Sequence, residues 1–221
     1  MAEAIKHDRV LVNGQVVEDF RHPVNIETDL VVVDGRKINL KPEPVVTLLL
    51  HKPAGVLSTA RDERGRRTVI DLLPGEYRRR RLYPVGRLDK DSTGLLLLTN
   101  DGELAYQLTH PRFEIEKEYL LHIADDLKSE AKRRLETGIR LEDGMTHPAK
   151  VKKVTSRPPF NYSLAIHEGR KRQVRRMLES LGHHVIALKR TRMGNLKLGD
   201  LPEGNLRELT ARERRALLNQ S

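Results

Sequence analysis

Short runs of alternating apolar and polar residues at the start of the chain end in turn-forming pairs. Such runs flank Asn13-Gly14 and Asp34-Gly35, and both pairs are strong hairpin signals between apolar segments. They predict a small unit of short β-strands. Residues 41–44 carry two prolines and two charged side chains. This composition is typical of a stiff linker, so we expect a domain boundary there.

The rest of the chain alternates between apolar strand patterns and helical patterns. The continuous apolar run at 94–99 predicts a strand that is buried on both faces. Further strands are predicted at 45–52, 117–123 and 161–166. Helices are predicted at 103–110, 126–138 and 173–181, and after the capping pair Thr210 and Glu213. Because these elements alternate without regular βαβ spacing, we expect an α+β fold.

Composition adds a strong positive charge to this picture. The 221 residues carry a formal net charge of +10, which favours polyanionic partners, nucleic acid first and an anionic membrane surface second. No apolar run approaches the ~20 residues of a membrane-spanning helix, and the N-terminus lacks a signal-peptide pattern. The absence of cysteine excludes thiol catalysis and disulfides, and we expect a cytoplasmic protein.

Residues 58–83 combine weak periodicity with many arginines. The group includes Arg64, Arg66, Arg67 and Arg79. Such a segment is either an exposed, mobile loop or a loop that contacts phosphates, and the pattern alone leaves both interpretations open.

A polar loop bounded by glycines, GRLDKDSTG at 86–94, leads directly into the buried strand. Loops that are held by a rigid scaffold often carry catalytic groups. Asp89 is the candidate carboxylate of this loop. An aspartate at such a position can equally form a turn or cap a helix.

A second charged stretch, EGRKRQVRRM at 168–177, places basic residues where a helix begins. Cationic side chains and free N–H groups at a helix start suit phosphate oxygens, so residues 170–173 are candidates for phosphate contact. Arg175 lies beside the apolar helix face and can point inward. A buried arginine needs a carboxylate partner, and Asp89 is the candidate.

Tyr119, in Lys117-Glu-Tyr119, offers a flat ring for stacking on a base and a hydroxyl for proton transfer. The structural alternative is a half-buried strand tyrosine. We find no phosphate-binding nucleotide loop. Adjacent His183 and His184 would lie on opposite faces of a strand, so we expect no metal site.

Residues 86–111 (GRLDKDSTGLLLLTNDGELAYQLTHP) resemble the central motif of the RsuA/RluB family of ribosomal-RNA pseudouridine synthases. The family's other motifs are matched, in order, by HKPAG, KEYL, EGRKRQVRRMLESLGHHV and LKRTRMGNLKLGDLPEGNLRELT. The resemblance spans residues 45–215, and its last third is closer to the RluB-type, large-subunit members. It implies a catalytic domain over 47–221 with a central mixed, mostly antiparallel sheet flanked by helices, after a linker at 42–46.

Residues 1–41 resemble the second half of an S4 RNA-binding domain, from DRVLVNGQVV onward. Two helices precede this part in the S4 domain, whereas only MAEAIKH precedes it here. We therefore expect a partial S4-like unit.

The resemblance also implies the reaction and the roles of the candidate residues. The enzyme would convert a specific uridine of ribosomal RNA, in 23S RNA, to pseudouridine by breaking C1′–N1 and forming C1′–C5, as a monomer without cofactor or metal. Asp89 would be the catalytic carboxylate, which either attacks the sugar or deprotonates it. Arg175 would pair with Asp89, and Tyr119 would stack on the uracil and help to remove the C5 proton.

The remaining implied roles concern RNA binding. Arg87 would occupy the gap left by the flipped base or contact its phosphate, and Lys52 would support the pocket from beneath. The complete RNA-binding set comprises Arg87, Lys52, Arg64, Arg66, Arg67, Arg79, Arg170, Lys171, Arg172 and Gln173.

Two other classes of protein share parts of these patterns. A non-catalytic RNA-binding or ribosome-assembly protein would explain the charge and the S4-like unit, but it gives no reason for an Asp–Arg–Tyr constellation. A DNA-binding regulator is disfavoured because no convincing helix-turn-helix or dimer zipper is present.

Overall fold

The computed structural model describes residues 2–40 and 43–218. The chain forms two compact units, Met1–Pro44 and Val45–Ser221. Lys41 and Pro42, which belong to the predicted linker region, lie outside the described residues.

The first unit is built on a small antiparallel sheet. Its strands are β1 (Val10–Val12), β2 (Gln15–Val16), β3 (Val31–Val33) and β4 (Arg36–Ile38). They pair in the order β2-β1-β3-β4. Asn13 and Asp34 adopt left-handed φ angles of 53° and 52° in the two connecting turns, so both predicted hairpins are confirmed.

A short helix that the sequence pattern did not predict, α1 (Ala2–Lys6), precedes this sheet. Its Ala4 is buried with Val10, Val12 and Val31. A helix this short is unstable alone in water, so we attribute it to that packing. The likeness of this unit to an S4 domain stays a prediction.

The second unit combines a large sheet with helices. Its strands are β5 (Thr47–Lys52), β6 (Tyr83–Val85), β7 (Thr93–Thr99), β8 (Lys117–Ile123), β9 (Arg140–Leu141), β10 (Gly144–Met145), β11 (Lys150–Lys153), β12 (Tyr162–Ile166), β13 (Val185–Met193), β14 (Leu196–Lys197) and β15 (Leu206–Glu208). Its helices are α2 (Gly75–Arg78), α3 (Gly102–Thr109), α4 (Ser129–Thr137), α5 (Gln173–Glu179) and α6 (Ala211–Leu218).

Nine of these strands form one sheet in the order β11-β12-β8-β13-β7-β5-β15, with β14 beside β13 and β6 beside β7. Among the described strands, β13 and β7 run parallel and the other pairs are antiparallel. The predicted mixed, mostly antiparallel sheet is therefore confirmed. No helix within the described residues is long and apolar enough to cross a membrane.

The leucine runs of the two central strands are continuous because both faces of the sheet are covered. In β5 and β7 the even-numbered leucines belong to one apolar cluster, with α4 and α5, and the odd-numbered ones to another, with α3 and α6. Each fully buried leucine contributes roughly 1.5–3 kcal/mol. Burial on both faces makes β5 and β7 the buried centre of the sheet, and the functional loop leads into β7.

The sheet forks at the beginning of β7. β13 pairs only with Thr93 and Gly94, and β6 then occupies the same edge of β7 opposite residues 97–99. At Gly94 the backbones are so close that a β carbon would lie 2.2 Å from the Arg190 carbonyl oxygen, and its φ is +106°. Only glycine fits this position without strain.

Side-chain caps mark the starts of α3 and α6. Asp101 accepts a hydrogen bond from the Leu104 amide at the start of α3, and Thr210 with Glu213 forms the predicted capping box of α6. The arginine-rich segment is more ordered than its pattern suggested. It contains a 3₁₀ turn at Val69–Leu72 and the one-turn helix α2.

Candidate active site

A cleft of about 520 Å³ opens where the sheet forks. It is lined by the end of β6, the loop from Gly86 to Ser92, the start of α5, and the inner faces of β8 and β13. Its volume lies within the usual range for small-ligand pockets. It can therefore accept a single nucleotide.

Asp89 lies in the loop that connects β6 to β7, and Ser58 fixes the residue before it. The Ser58 hydroxyl donates to the Leu88 carbonyl oxygen at 3.0 Å and accepts from the Leu88 amide at 3.1 Å. Ser58 is buried, and nothing in its sequence neighbourhood singled it out. The Asp89 side chain remains 27% exposed and lines the cleft.

Lys52 fixes the residues after Asp89. Its ammonium donates to the carbonyl oxygens of Pro53, Lys90 and Ser92 at 2.9, 3.2 and 2.8 Å. Burial lowers the pKa of Lys52 from its ordinary 10.5 to about 8. Because the side chain is fully buried, its place in the RNA-binding set is wrong. Support from beneath the pocket is the role that fits its contacts.

Two arginines from the start of α5 flank the Asp89 carboxylate. Asp89 Oδ2 lies 4.0 Å from Nε of Arg175 and 3.9 Å from Nη1 of Arg172. Arg175 is buried, and its Nη1 donates to the Val185 carbonyl oxygen at 2.7 Å. Within the described residues its Nε has no hydrogen-bond partner, so the predicted pairing with Asp89 is present as an ion pair at 4.0 Å. Arg172 was predicted only to contact RNA.

Tyr119 lies in the middle of β8 with its side chain on the cleft face. It is 7% exposed and pairs across the strands with Arg190 of β13. Asp89, Arg175 and Tyr119, the three predicted catalytic residues, are thus brought to one region. Their catalytic roles stay a prediction.

The predicted RNA-binding residues separate into two groups. Arg87, Arg170, Arg172 and Gln173 line the cleft. Lys52 lies outside the cleft lining and is buried. The remaining residues also lie outside the lining but are exposed: Arg64, Arg66, Arg67, Arg79 and Lys171.

Arg170 and Gln173 are engaged within the protein. Arg170 bonds to carbonyl oxygens of residues 143–145 and pairs with Glu168 at 2.8 Å. Gln173 is buried and bonds to Glu168 and the Arg170 amide. These contacts give both residues a structural task that the motif did not reveal. Arg66 is held at 2.7 Å by Asp62.

The sequence analysis assigned no role to two cations that line the cleft. Lys117 and Arg190 line it on the same face as Tyr119. The signal was present, because Lys117 precedes Tyr119 by two residues and therefore shares its strand face. Within the described residues, no group of three His, Cys, Asp or Glu side chains is arranged to hold a metal.

Comparison with known proteins identifies the class of enzyme that carries this site. Residues 46–180 match the RNA pseudouridylate synthase family. The chain belongs to this family, and the protein is therefore an enzyme, a pseudouridine synthase.

Individual pseudouridine synthases are similar to this chain over most of its length. Ribosomal large subunit pseudouridine synthase B of Bacillus subtilis (strain 168) is 47% identical over 96% of this chain and 86% of its own length. An uncharacterized RNA pseudouridine synthase of Mycobacterium leprae (strain TN) is 41% identical over 96% and 83%. A crystal structure of a pseudouridylate synthase matches with a TM-score of 0.72 at 32% identity, covering 98% of this chain and 91% of that one. The resemblance to pseudouridine synthases, and the fold it implied, are confirmed.

Proposed function

We propose that this enzyme converts a uridine of large-subunit ribosomal RNA to pseudouridine, with Asp89 as the catalytic carboxylate. The observation that carries the proposal is the cleft that Asp89 and Tyr119 both line, with Arg172 and Arg175 beside the Asp89 carboxylate. The large-subunit target rests on the 47% identity to a ribosomal large subunit pseudouridine synthase.

The reaction begins with extrusion of the uridine from the RNA. A stacked base cannot reach a cleft between strands, so the nucleotide flips out at a cost of a few kcal/mol. Asp89 then either attacks C1′ or removes the C2′ proton, and the C1′–N1 bond breaks. The freed uracil turns, and its C5 bonds to C1′ while the Asp89–C1′ ester bond breaks or, on the second route, while Asp89 returns the proton to C2′. Loss of the C5 proton and protonation of N1 complete the isomerisation.

The neighbouring side chains divide the remaining work. Arg175 and Arg172 orient the carboxylate, since a guanidinium nitrogen of each lies within 4.0 Å of Oδ2. Tyr119 stacks on the uracil from its strand and assists removal of the C5 proton. Exposed Arg87, at the cleft, contacts the phosphate of the flipped nucleotide or fills the gap in the stack.

The direct test is pseudouridine formation in 23S RNA. The purified protein is incubated with unmodified 23S RNA labelled with tritium at uridine C5, and released tritium is counted. Pseudouridines are then mapped in RNA from cells with and without the protein. Tritium release together with the loss of one large-subunit pseudouridine supports the proposal. Loss of a small-subunit site instead would overturn the assignment of the subunit.

Arg79→Ala should weaken RNA binding more than it impairs the chemical step. Arg79 is exposed and outside the cleft, which fits contact with the RNA backbone. Removing one phosphate contact lowers the salt dependence of the binding constant by about one unit of slope. The measurement is RNA affinity at several potassium chloride concentrations, beside the single-turnover rate at saturating enzyme.

Arg134→Ala provides the matched control, because it removes the same charge from exposed α4, which contributes no lining residue to the cleft. Its salt slope should stay closer to that of the unmodified protein. Identical slopes for the two variants would remove Arg79 from the RNA-binding surface.

A further inference from the structure

Two cations lie inside the cleft and have no carboxylate partner in the part of the chain that the structure describes. Arg190 is 2% exposed, and its Nε donates to the Leu95 carbonyl oxygen at 2.7 Å, but its Nη2 is buried and has no hydrogen-bond partner among those residues. Lys117 Nζ bonds to the Ile115 carbonyl oxygen at 3.1 Å. Among residues 2–40 and 43–218, neither cation forms an ion pair with an acid.

The surroundings of Lys117 disfavour its charged form. Burial, together with repulsion from the Arg190 guanidinium, lowers the pKa of Lys117 from its ordinary 10.5 to about 8. Buried charges without partners are costly, and unsatisfied buried donors in native proteins call for an explanation. An anion that enters the cleft from outside would satisfy both groups.

The strand register places these cations beside the proposed position of the base. Tyr119 and Arg190 are direct cross-strand partners, and Lys117 is opposite Met193 on the same pair of strands. Side chains in direct opposition have β carbons about 4.5–5.5 Å apart. A base stacked on Tyr119 would therefore present the oxygens of its edge to Arg190 and Lys117.

We propose that Lys117 and Arg190 form an anion site that stabilises the uracil as it departs from the ribose. This inference rests on the proposed function. When C1′–N1 breaks, its electron pair goes to N1 and is delocalised onto O2 and O4, so the base leaves as the uracilate anion. The same anion forms whether Asp89 attacks C1′ or removes the C2′ proton. The charge disappears when C5 bonds to C1′, and N1 is protonated as the C5 proton is lost.

The nucleotide's phosphate is the other anion that could reach the cleft, and the structure favours the base. Phosphates stay with the RNA backbone at the mouth, where the exposed side chains of Arg87 and Arg172 lie. Arg190, in contrast, is almost completely withdrawn from solvent. Fixed donors in such a dry site act strongly on charge that develops during the reaction.

The acidity of the leaving base provides the decisive experiment. Single-turnover C-glycoside formation is measured for the unmodified enzyme, Lys117→Met and Lys117→Arg, with RNA that contains uridine or the more acidic 5-fluorouridine at the target. Lys117→Met should slow the uridine reaction roughly 10²-fold. Its deficit should shrink with 5-fluorouridine, whose anion needs less stabilisation, and Lys117→Arg should restore most of the rate.

Lys189→Met is the matched control, because Lys189 also lies on β13 but lines no part of the cleft. It should react at the unmodified rate with both RNAs. Equal deficits of Lys117→Met with the two RNAs, or no deficit with uridine, would overturn the anion site. An equal deficit combined with weaker RNA binding would indicate a phosphate contact instead.

Binding of the free base separates this inference from the proposed function. 5-Nitrouracil is acidic enough to be anionic near neutral pH, and its absorbance allows direct titration without RNA. Lys117→Met should bind it roughly tenfold more weakly, with thymine, a neutral base, unaffected. Equal binding of 5-nitrouracil would overturn the anion site. An enzyme that shows the Lys117-dependent binding but modifies no ribosomal uridine would refute the proposed function and leave the site standing.

Discussion

Asp89→Asn is expected to lower pseudouridine formation by at least about 10³-fold, the scale for loss of a catalytic base or nucleophile. Asparagine has nearly the same shape as aspartate, so the loop held by Ser58 and Lys52 should stay in place. It carries no negative charge, however, and can neither attack C1′ nor accept the C2′ proton. Tritium release from C5-labelled RNA measures the loss, and thermal unfolding checks that the fold is intact.

Asp91→Asn is the matched control for this experiment. Asp91 belongs to the same loop but is exposed and outside the cleft lining, so its variant should retain activity close to that of the unmodified enzyme. RNA affinity should be similar for both variants. Equal tritium release by Asp89→Asn and the unmodified enzyme would remove Asp89 from the reaction.

Gly94→Ala should destabilise the enzyme by about 3 kcal/mol or more and abolish most activity. The new methyl group would meet the Arg190 carbonyl oxygen at 2.2 Å in a backbone with φ of +106°. The strands must separate to accommodate it, and Arg190 and the loop that carries Asp89 would shift with them. In a chain of this size we expect the unfolding midpoint to fall by roughly 10 °C.

Gly75→Ala is the control for this prediction, because it shows what replacing a glycine by alanine does to stability where no close contact is present. A β carbon at Gly75, in α2, meets no heavy atom within 4 Å. Its effect on unfolding free energy should stay within about 0.5 kcal/mol. An unfolding midpoint for Gly94→Ala as high as that of Gly75→Ala would contradict the close approach of β7 and β13.

Local patterns predicted the elements whose signal lies in neighbouring residues of the sequence. The run 117–123 coincides with β8, and Thr210 with Glu213 begins α6 as a capping box. Helix α1 and the single turns at 69–78 escaped prediction. Their stability comes from tertiary packing, such as the burial of Ala4 and Val69. The periodicity of apolar residues along the sequence does not reveal such contacts.

The order of the strands could not be derived from pattern, because β13 and β7 pair across 96 positions of the sequence, as between Thr93 and Lys189. For the same reason, the sequence pattern could not predict all the residues that surround Asp89. The motifs indicated Asp89, and the helical wheel suggested Arg175, yet nothing local revealed that Arg172, with its left-handed φ of 50°, also reaches Asp89. Side chains that are engaged within the protein, such as Arg170, resemble RNA contacts in the sequence.

The ammonium of Lys52, which holds the Asp89 loop by the carbonyl oxygens of Lys90 and Ser92, bears on how the enzyme uses its affinity for RNA. A loop that is already immobile loses no further conformational entropy when the substrate arrives. Binding free energy then remains for extruding the nucleotide and aligning its ribose with the carboxylate. The entropic cost of ordering the catalytic group is thus met during folding, once, and not again in every turnover.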